Sequence, residues 1–394
     1  MEGTTLYTIK CYNKIARIGL DRLDSSVFAV DDNAASPDGI LVRSAKLHDV
    51  PVPDSLVAVA RAGAGVNNIP VADYAARGIV VFNTPGANAN AVRELTIGAI
   101  ILASRDIAGG IAWAQTLVGD DVAAQVEKGK SQFVGPELVG KTLGLVGLGA
   151  IGVGVANAAH HIGMNVIGYD PYISVDAAWG LSRNVRRASD LKTIYAECDY
   201  ISIHVPLNGD TRGFINAETL SQMKDGVRII NLARGELVND ADILKALDSG
   251  KAGRYVTDFP NPVVLKHPKV VAIPHLGAST PESEDNCAVM AADELSEFLR
   301  WGNIKNSVNF PDAELPHSPG TRVCVLHENI PNILASISGI FGKQGQNVDN
   351  MINKSRGEFA YTLMDTPAVT DEETIAQIRA IPGVLRVRVV ADGR

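Results

Sequence analysis

The chain has 394 residues, 46% of them hydrophobic, with 37 glycines and 36 Lys and Arg against 44 Asp and Glu. At roughly 150 residues per domain this is two to three domains with sizeable cores, which excludes a disordered chain. A net charge of -8 excludes a whole-protein nucleic-acid footprint and leaves only local basic sites for small anions.

The opening residues lack the basic region and apolar run of a secretory signal, so the mature protein is expected to begin here and to work in the cytoplasm. In the first ninety residues, short β-branched runs at 6–11, 39–42, 56–60 and 79–83 alternate with helical or turn segments, the pattern of a small α/β layer. Ala89–Ser104 is apolar and free of proline, and is expected as a long helix leading into a second domain. Six strand-like runs then follow at 142–146, 165–169, 200–205, 227–232, 255–259 and 270–273. Their near-continuous Val and Ile, with helical stretches between most of them, predict a doubly wound parallel sheet covered on both faces. The stretch 142–169 has no charged residue but holds seven glycines, so it reads as a phosphate loop within that sheet rather than a membrane span.

Pro311, Pro316, Pro319 and Gly320 interrupt the pattern and predict a linker. Beyond it, strands at 322–326, 359–364 and 384–390 and helices at 333–341 and 372–381 predict a β-α-β-β-α-β ferredoxin-like module. The four cysteines at 11, 198, 287 and 324 form no C-x-x-C pair, and the eight histidines show no ligand spacing. Reduced thiols and no metal site are expected.

Gly147-Leu148-Gly149-Ala150-Ile151-Gly152 follows one predicted strand and opens a helix, and Asp170 closes the next strand. Gly147 permits the tight turn, Gly149 lets backbone approach a pyrophosphate, and Gly152 lets helix and strand pack closely. The helix N-terminus receives the phosphate charge. Asp170 accepts from ribose hydroxyls and repels a 2′-phosphate, which favours NAD over NADP.

Further strings are Arg61-Ala-Gly-Ala-Gly-Val-Asn-Asn, Asn83-Thr-Pro-Gly, His204-Val-Pro-Leu, Asn231-Leu-Ala-Arg-Gly-Glu-Leu-Val and Pro274-His-Leu-Gly-Ala-Ser-Thr. Together they resemble the D-2-hydroxyacid dehydrogenase family from about Gly39 onward. They look most like the branch that oxidises 3-phosphoglycerate to 3-phosphohydroxypyruvate with NAD, the first step of serine synthesis. The resemblance implies a flavodoxin-like substrate-binding domain (1–90 and 280–310), a Rossmann NAD domain (91–279), a linker (311–320) and an ACT regulatory domain (321–394). The cleft between the first two domains is expected to close on both ligands.

Carried over by position, Arg234 grips the substrate carboxylate and polarises the C2 oxygen, as a planar guanidinium fork suits. His275 is the general base that takes the hydroxyl proton. Ile151 supplies backbone donors to the pyrophosphate, with His204, Pro206 and Thr211 on the adenine and ribose side. Ala233, Asp258, Gly277 and Ala278 lie at the nicotinamide. Arg43, Ser44 and Lys46 match the phosphate-binding stretch. Ala62, Gly63 and Ala64 present N–H groups to the carboxylate, with Asn83 near the substrate. Lys130 is expected to reach a neighbouring subunit's site, and the chain to form a homodimer or homotetramer with contacts around the helix Ala89–Ser104.

His327, Asn329 and Asn347 match a serine-effector pattern, with Asn332 where relatives have Gly; a module that only dimerises is the alternative. The family's third catalytic group, a glutamate that orients the imidazole, has no counterpart. Pro262 occupies its place in Asp258-Phe259-Pro260-Asn261-Pro262-Val263, leaving Asn261 or a carboxylate from elsewhere to orient the ring. Two rival readings stay open: a dehydrogenase of another 2-hydroxy acid, and a non-catalytic NAD-binding sensor.

Overall fold

The computed structural model describes residues 6–316, 320–367 and 370–391. The chain packs as two compact units, Met1–Asn88 with Pro281–Arg394, and Ala89–Thr280.

In the first unit, β1 (Tyr7–Tyr12), β2 (Phe28–Val30), β3 (Gly39–Val42), β4 (Ala58–Arg61) and β5 (Val80–Phe82) form a parallel sheet in the order β2-β1-β3-β4-β5. Side chains alternate across it, as a strand's period of two requires. Ile40, Val42, Val59 and Val81 face Leu47, Leu56, Ile69 and Tyr74 on one side. Leu41, Ala58, Ala60, Val80 and Phe82 face the other. There the helix Pro281–Trp301 lays down Ala288, Ala291, Ala292, Leu295, Phe298 and Leu299 at helical spacing. The strand β2 had no sequence signal because Phe-Ala-Val is too short to show a period.

The second unit holds β6 (Thr142–Val146), β7 (Asn165–Tyr169), β8 (Arg186–Arg187), β9 (Tyr200–Ile203), β10 (Val227–Asn231), β11 (Ala252–Thr257) and β12 (Val270–Ala272). They form one parallel sheet in the order β12-β11-β10-β9-β6-β7-β8. The order reverses between β6 and β9, so their C-terminal ends flank the switch point at which open α/β sheets bind ligands. The expected helix is present at Ala89–Ser104, buried along Ala91, Val92, Ala99, Ile100 and Ala103. The uncharged stretch 142–169 is strand, loop, helix and strand. Among the described residues no single helix is long and apolar enough to cross a membrane, and no cluster of three His, Cys, Asp or Glu side chains is placed to hold a metal ion.

The remaining strands, β13 (Thr321–Glu328), β14 (Asn350–Arg356), β15 (Phe359–Thr366) and β16 (Val384–Ala391), form an antiparallel sheet in the order β14-β15-β13-β16. Helices Ile333–Lys343 and Glu372–Arg379 cover one face through Ile333, Ile337, Phe341, Ile375 and Ile378. The opposite face is covered too. Cys324, Leu326, Tyr361, Leu363 and Val390 share a core with Phe298, Leu299, Ile304 and Phe310 of the same unit.

Three domains were expected and two units are found, because this sheet has no free face to make it a separate body. Nor is 311–316 an open tether. Ala313 is fully buried and its backbone exchanges two hydrogen bonds of 2.9 Å with Ile304; Pro319 lies outside the described residues.

Candidate active site

The glycine loop follows β6 at the switch point. Gly147 has φ +96°, and a Cβ there would sit 2.5 Å from the His204 carbonyl oxygen. A Cβ on Gly152 would sit 2.1 Å from the Gly147 oxygen. Both positions therefore need glycine for the protein's own packing. Gly149 differs, since nothing lies within 4 Å of its Cβ position, and its requirement is for space that a ligand would take. The helix Ala150–His161 begins directly after it with no side-chain cap, leaving its first N–H groups for an anion. Asp170 is held by two backbone donors, Leu148 N to Oδ2 and Tyr172 N to Oδ1, each at 2.8 Å. This set fits a dinucleotide with free ribose hydroxyls.

Along the same edge, the His204 ring contacts Ser202 Oγ at 2.9 Å, and burial pushes its pKa down to about 4, so it is neutral at physiological pH. Thr211 Oγ1 donates to the Pro206 carbonyl at 2.7 Å and locks that loop.

The reactive groups collect at the ends of β10, β11 and β12. The buried Asn231 shapes the turn after β10. Its Nδ2 donates to the Arg234 carbonyl at 2.8 Å, and its Oδ1 accepts from Ala233 N at 3.2 Å. Arg234 follows with an exposed side chain whose Nη1 returns to the Ala233 carbonyl at 2.6 Å. Asp258, one residue past β11, is 1% exposed and its Oδ1 has no hydrogen-bond partner among the described residues. Burial raises its pKa, opposed first by the charge of His275, then by the Gly277 N–H, with Arg234 also contributing. A buried acceptor left open this way suits the carboxamide donors of a nicotinamide.

His275 sits at φ +47°, unusual for a residue with a Cβ. Its N–H donates to both the Asp258 and Ile273 carbonyls, at 3.1 and 2.9 Å, and its ring lies 4.8 Å from that of Phe259. Arg234, Asp258 and His275, far apart in sequence, thus meet at one sheet edge. Ala150 and Ile151 open the glycine helix, and Gly277 and Ala278 follow the histidine. A cavity of about 510 Å³ opens beside the edge, lined by Arg212, Glu236, Asp240, Phe259 and Asn261 among others.

Asn261 does not orient the imidazole. Its Nδ2 donates to Asp240 at 2.9 Å, and its Oδ1 accepts from Val263 and Val264 N at 2.9 and 3.1 Å, capping the turn Val264–Lys266. Among the described residues nothing hydrogen-bonds the His275 ring.

In the other unit, the proposed substrate residues surround the ends of β3 and β4. Asn13, at φ +71°, accepts from Ser44 and Ala45 N at 2.9 and 2.6 Å and fixes the Arg43 loop. No sequence signal had marked it. Arg43 Nη2 pairs with Glu284 Oε1 at 2.6 Å, while Lys46 is exposed. Of the three expected N–H donors, two are already used: Ala62 N reaches Val42 O and Gly63 N reaches Arg61 O, each at 2.8 Å. Only Ala64 remains a candidate, and Asn83 Nδ2 donates to its carbonyl at 2.5 Å. Arg61 also belongs here, since its guanidinium packs on Gly63, 2.4 Å from where a Cβ would stand. Lys130 pairs with Glu127 within its own unit.

The expected effector residues are engaged. His327 is 3% exposed, with one ring nitrogen 2.9 Å from Thr362 Oγ1 and the other 2.7 Å from the Glu328 carbonyl. Asn329 donates to Gly357 O and Asn347 to Asp349 Oδ1, each at 3.1 Å. His327 thus lies inside the sheet with both ring nitrogens against protein oxygens.

The family model for the D-isomer specific 2-hydroxyacid dehydrogenase NAD-binding domain matches residues 98–277. The chain belongs to the D-isomer specific 2-hydroxyacid dehydrogenase family. Among its relatives, D-3-phosphoglycerate dehydrogenase of Escherichia coli (strain K12) is 33% identical over 350 residues, 86% of this chain and 82% of that one. The human protein of the same name is 36% identical over 299 residues, 72% of this chain and 53% of its own. The chain therefore spans about half the length of the primate relatives it matches. Among solved structures, NAD+-bound 3-phosphoglycerate dehydrogenase from Entamoeba histolytica is similar at TM-score 0.60 and 27% identity, over 77% of this chain and 99% of that one.

Proposed function

We propose that this chain catalyses the NAD-dependent oxidation of 3-phospho-D-glycerate to 3-phosphohydroxypyruvate, in the cytoplasm and as a homo-oligomer. The observation that carries this reading is the convergence of Arg234, Asp258 and His275 at the sheet edge beside the glycine loop. The glycine loop and Asp170 would hold NAD, which would supply the hydride acceptor. Arg234 binds the substrate carboxylate and draws charge onto the C2 oxygen. The His275 imidazole takes the C2 hydroxyl proton as the hydride departs, and returns it in the reverse direction. The open Asp258 oxygen would accept a hydrogen bond from the carboxamide. Arg43 and Lys46 receive the phosphate, a role supported by their basic charge and by the similarity to relatives named for this activity.

A second reading, a non-catalytic NAD sensor, is favoured by one observation, the unoriented imidazole. NADH oxidation with 3-phosphohydroxypyruvate, beside unphosphorylated hydroxypyruvate, separates the two. Selective turnover of the phosphorylated acid is expected, and His275→Gln should lower it at least ~10²-fold while NADH still binds. Binding without turnover of either acid would establish the sensor. L-serine is expected to leave the rate unchanged, because His327 is committed to Thr362.

A further inference from the structure

Arg43 is the expected phosphate group, yet it is paired. Its Nη2 lies 2.6 Å from Glu284 Oε1, and the two side chains are 42% and 43% exposed. Glu284 stands in the first turn of the helix Pro281–Trp301, where the helix dipole favours a carboxylate. Burial pushes the thiol of Cys287, one turn on, upward, with the charges of Arg61 and Arg43 opposing. An anion arriving at Arg43 therefore meets an occupied partner.

We propose that Glu284 is an affinity-setting counter-ion that competes with the substrate phosphate for Arg43. This rests on the reading of Arg43 as the phosphate group. A phosphate dianion brings more charge and more acceptor oxygens than one carboxylate, and displaces it. Glu284 re-pairs with Arg43 when the phosphate leaves, which keeps the guanidinium in place and limits retention of product. An acid without phosphate has nothing to exchange and leaves the pair intact. Glu284 thus tunes the phosphorylated ligand alone.

The test compares wild type with Glu284→Gln and Glu284→Asp in NADH oxidation, using 3-phosphohydroxypyruvate and hydroxypyruvate, with inorganic phosphate as a competing ligand measured by calorimetry. An exposed ion pair commands only about two- to fivefold. Glu284→Gln should lower KM for the phosphorylated acid and Kd for inorganic phosphate by that factor, leaving KM for hydroxypyruvate unmoved. Glu284→Asp should restore part of the wild-type KM. A KM that rises in Glu284→Gln would mean that Glu284 only positions Arg43, and an unchanged KM with unchanged phosphate binding would mean that it does not compete; either overturns the proposal. Wild type that fails to prefer the phosphorylated acid would instead refute the reading of Arg43, while the phosphate titration would still decide whether Glu284 competes.

Discussion

Glu294, on the buried face of the helix Pro281–Trp301, is 8% exposed, and among the described residues only its Oε1 has a donor, Asn306 Nδ2 at 2.7 Å. Burial raises its pKa from 4.5 to about 8; Asp293 and Asp312 push the same way, while the Asn306 hydrogen bond and Lys305 oppose. Because the folded value lies above the unfolded one, the folded chain holds a proton that the unfolded chain releases. The stability this gives is complete below pH 4.5 and is lost as pH rises through about 8. Each unit of displacement is worth on the order of 1.4 kcal/mol, so the loss is measurable. Wild type should show a falling urea midpoint between pH 5 and 9, and Glu294→Gln, which keeps the Asn306 bond but cannot ionise, a flatter profile. Parallel profiles would show that Glu294 ionises normally in the folded state.

At this scale much of the candidate site was proposed from the sequence. Arg234, His275, Asp170 and the glycines were identified from their strings and spacing, and they occupy the positions described. What escaped were residues that act through backbone geometry. Asn13 in a left-handed turn carries no spacing signal, and the bracing of the Arg234 loop by Asn231 and the pairing of Asn261 with Asp240 rather than the imidazole depend on how the chain folds back.

Among the elements, strands of the central parallel sheet were readable because burial on both faces demands unbroken β-branched runs. Thr142–Val146 and Asn165–Tyr169 match their expected bounds. The strand Asn350–Arg356 had no such signal. It is a mostly exposed edge strand reading Asn-Met-Ile-Asn-Lys-Ser-Arg, and an edge is protected from aggregation by such polar residues. The turn from β6 into its helix shows how one motif serves two needs, and a pair of substitutions separates them. Gly152→Ala places a methyl against the Gly147 oxygen and should destabilise the unit by about 1–3 kcal/mol, the usual penalty of overpacking. Gly149→Ala meets open space at an ordinary φ of −75° and should melt like wild type while losing NADH affinity. Stable, tightly binding Gly149→Ala protein would show that the pyrophosphate does not lie over this turn.

For the whole molecule, the departure from expectation lies in how the C-terminal sheet is attached. It closes the end of the helix Pro281–Trp301 by donating to carbonyls at that end. Arg388 donates to Phe298 O and Leu299 O at 3.1 and 2.9 Å, Arg322 to Trp301 O at 2.9 Å, and Tyr361 Oη to Gly302 O at 2.6 Å. Arg322 is itself buried and held by Asp365 at 2.7 and 3.1 Å. Composition could not reveal this, since the pattern of a ferredoxin-like module is the same whether its sheet is free or covered. A module bound through a shared core and a capped helix end should not melt by itself. Calorimetry should therefore find no separate transition for residues 321–391, and Tyr361→Phe, which leaves a buried carbonyl unpaired, should cost about 1–3 kcal/mol across the entire first unit. A chain ending at residue 316 would expose Phe298, Leu299, Ile304 and Phe310 together. Such a chain should aggregate or bind a hydrophobic dye through its first unit while residues 89–280 still bind NADH. A well-folded, soluble truncation with full activity would mean that the sheet is an appendage after all.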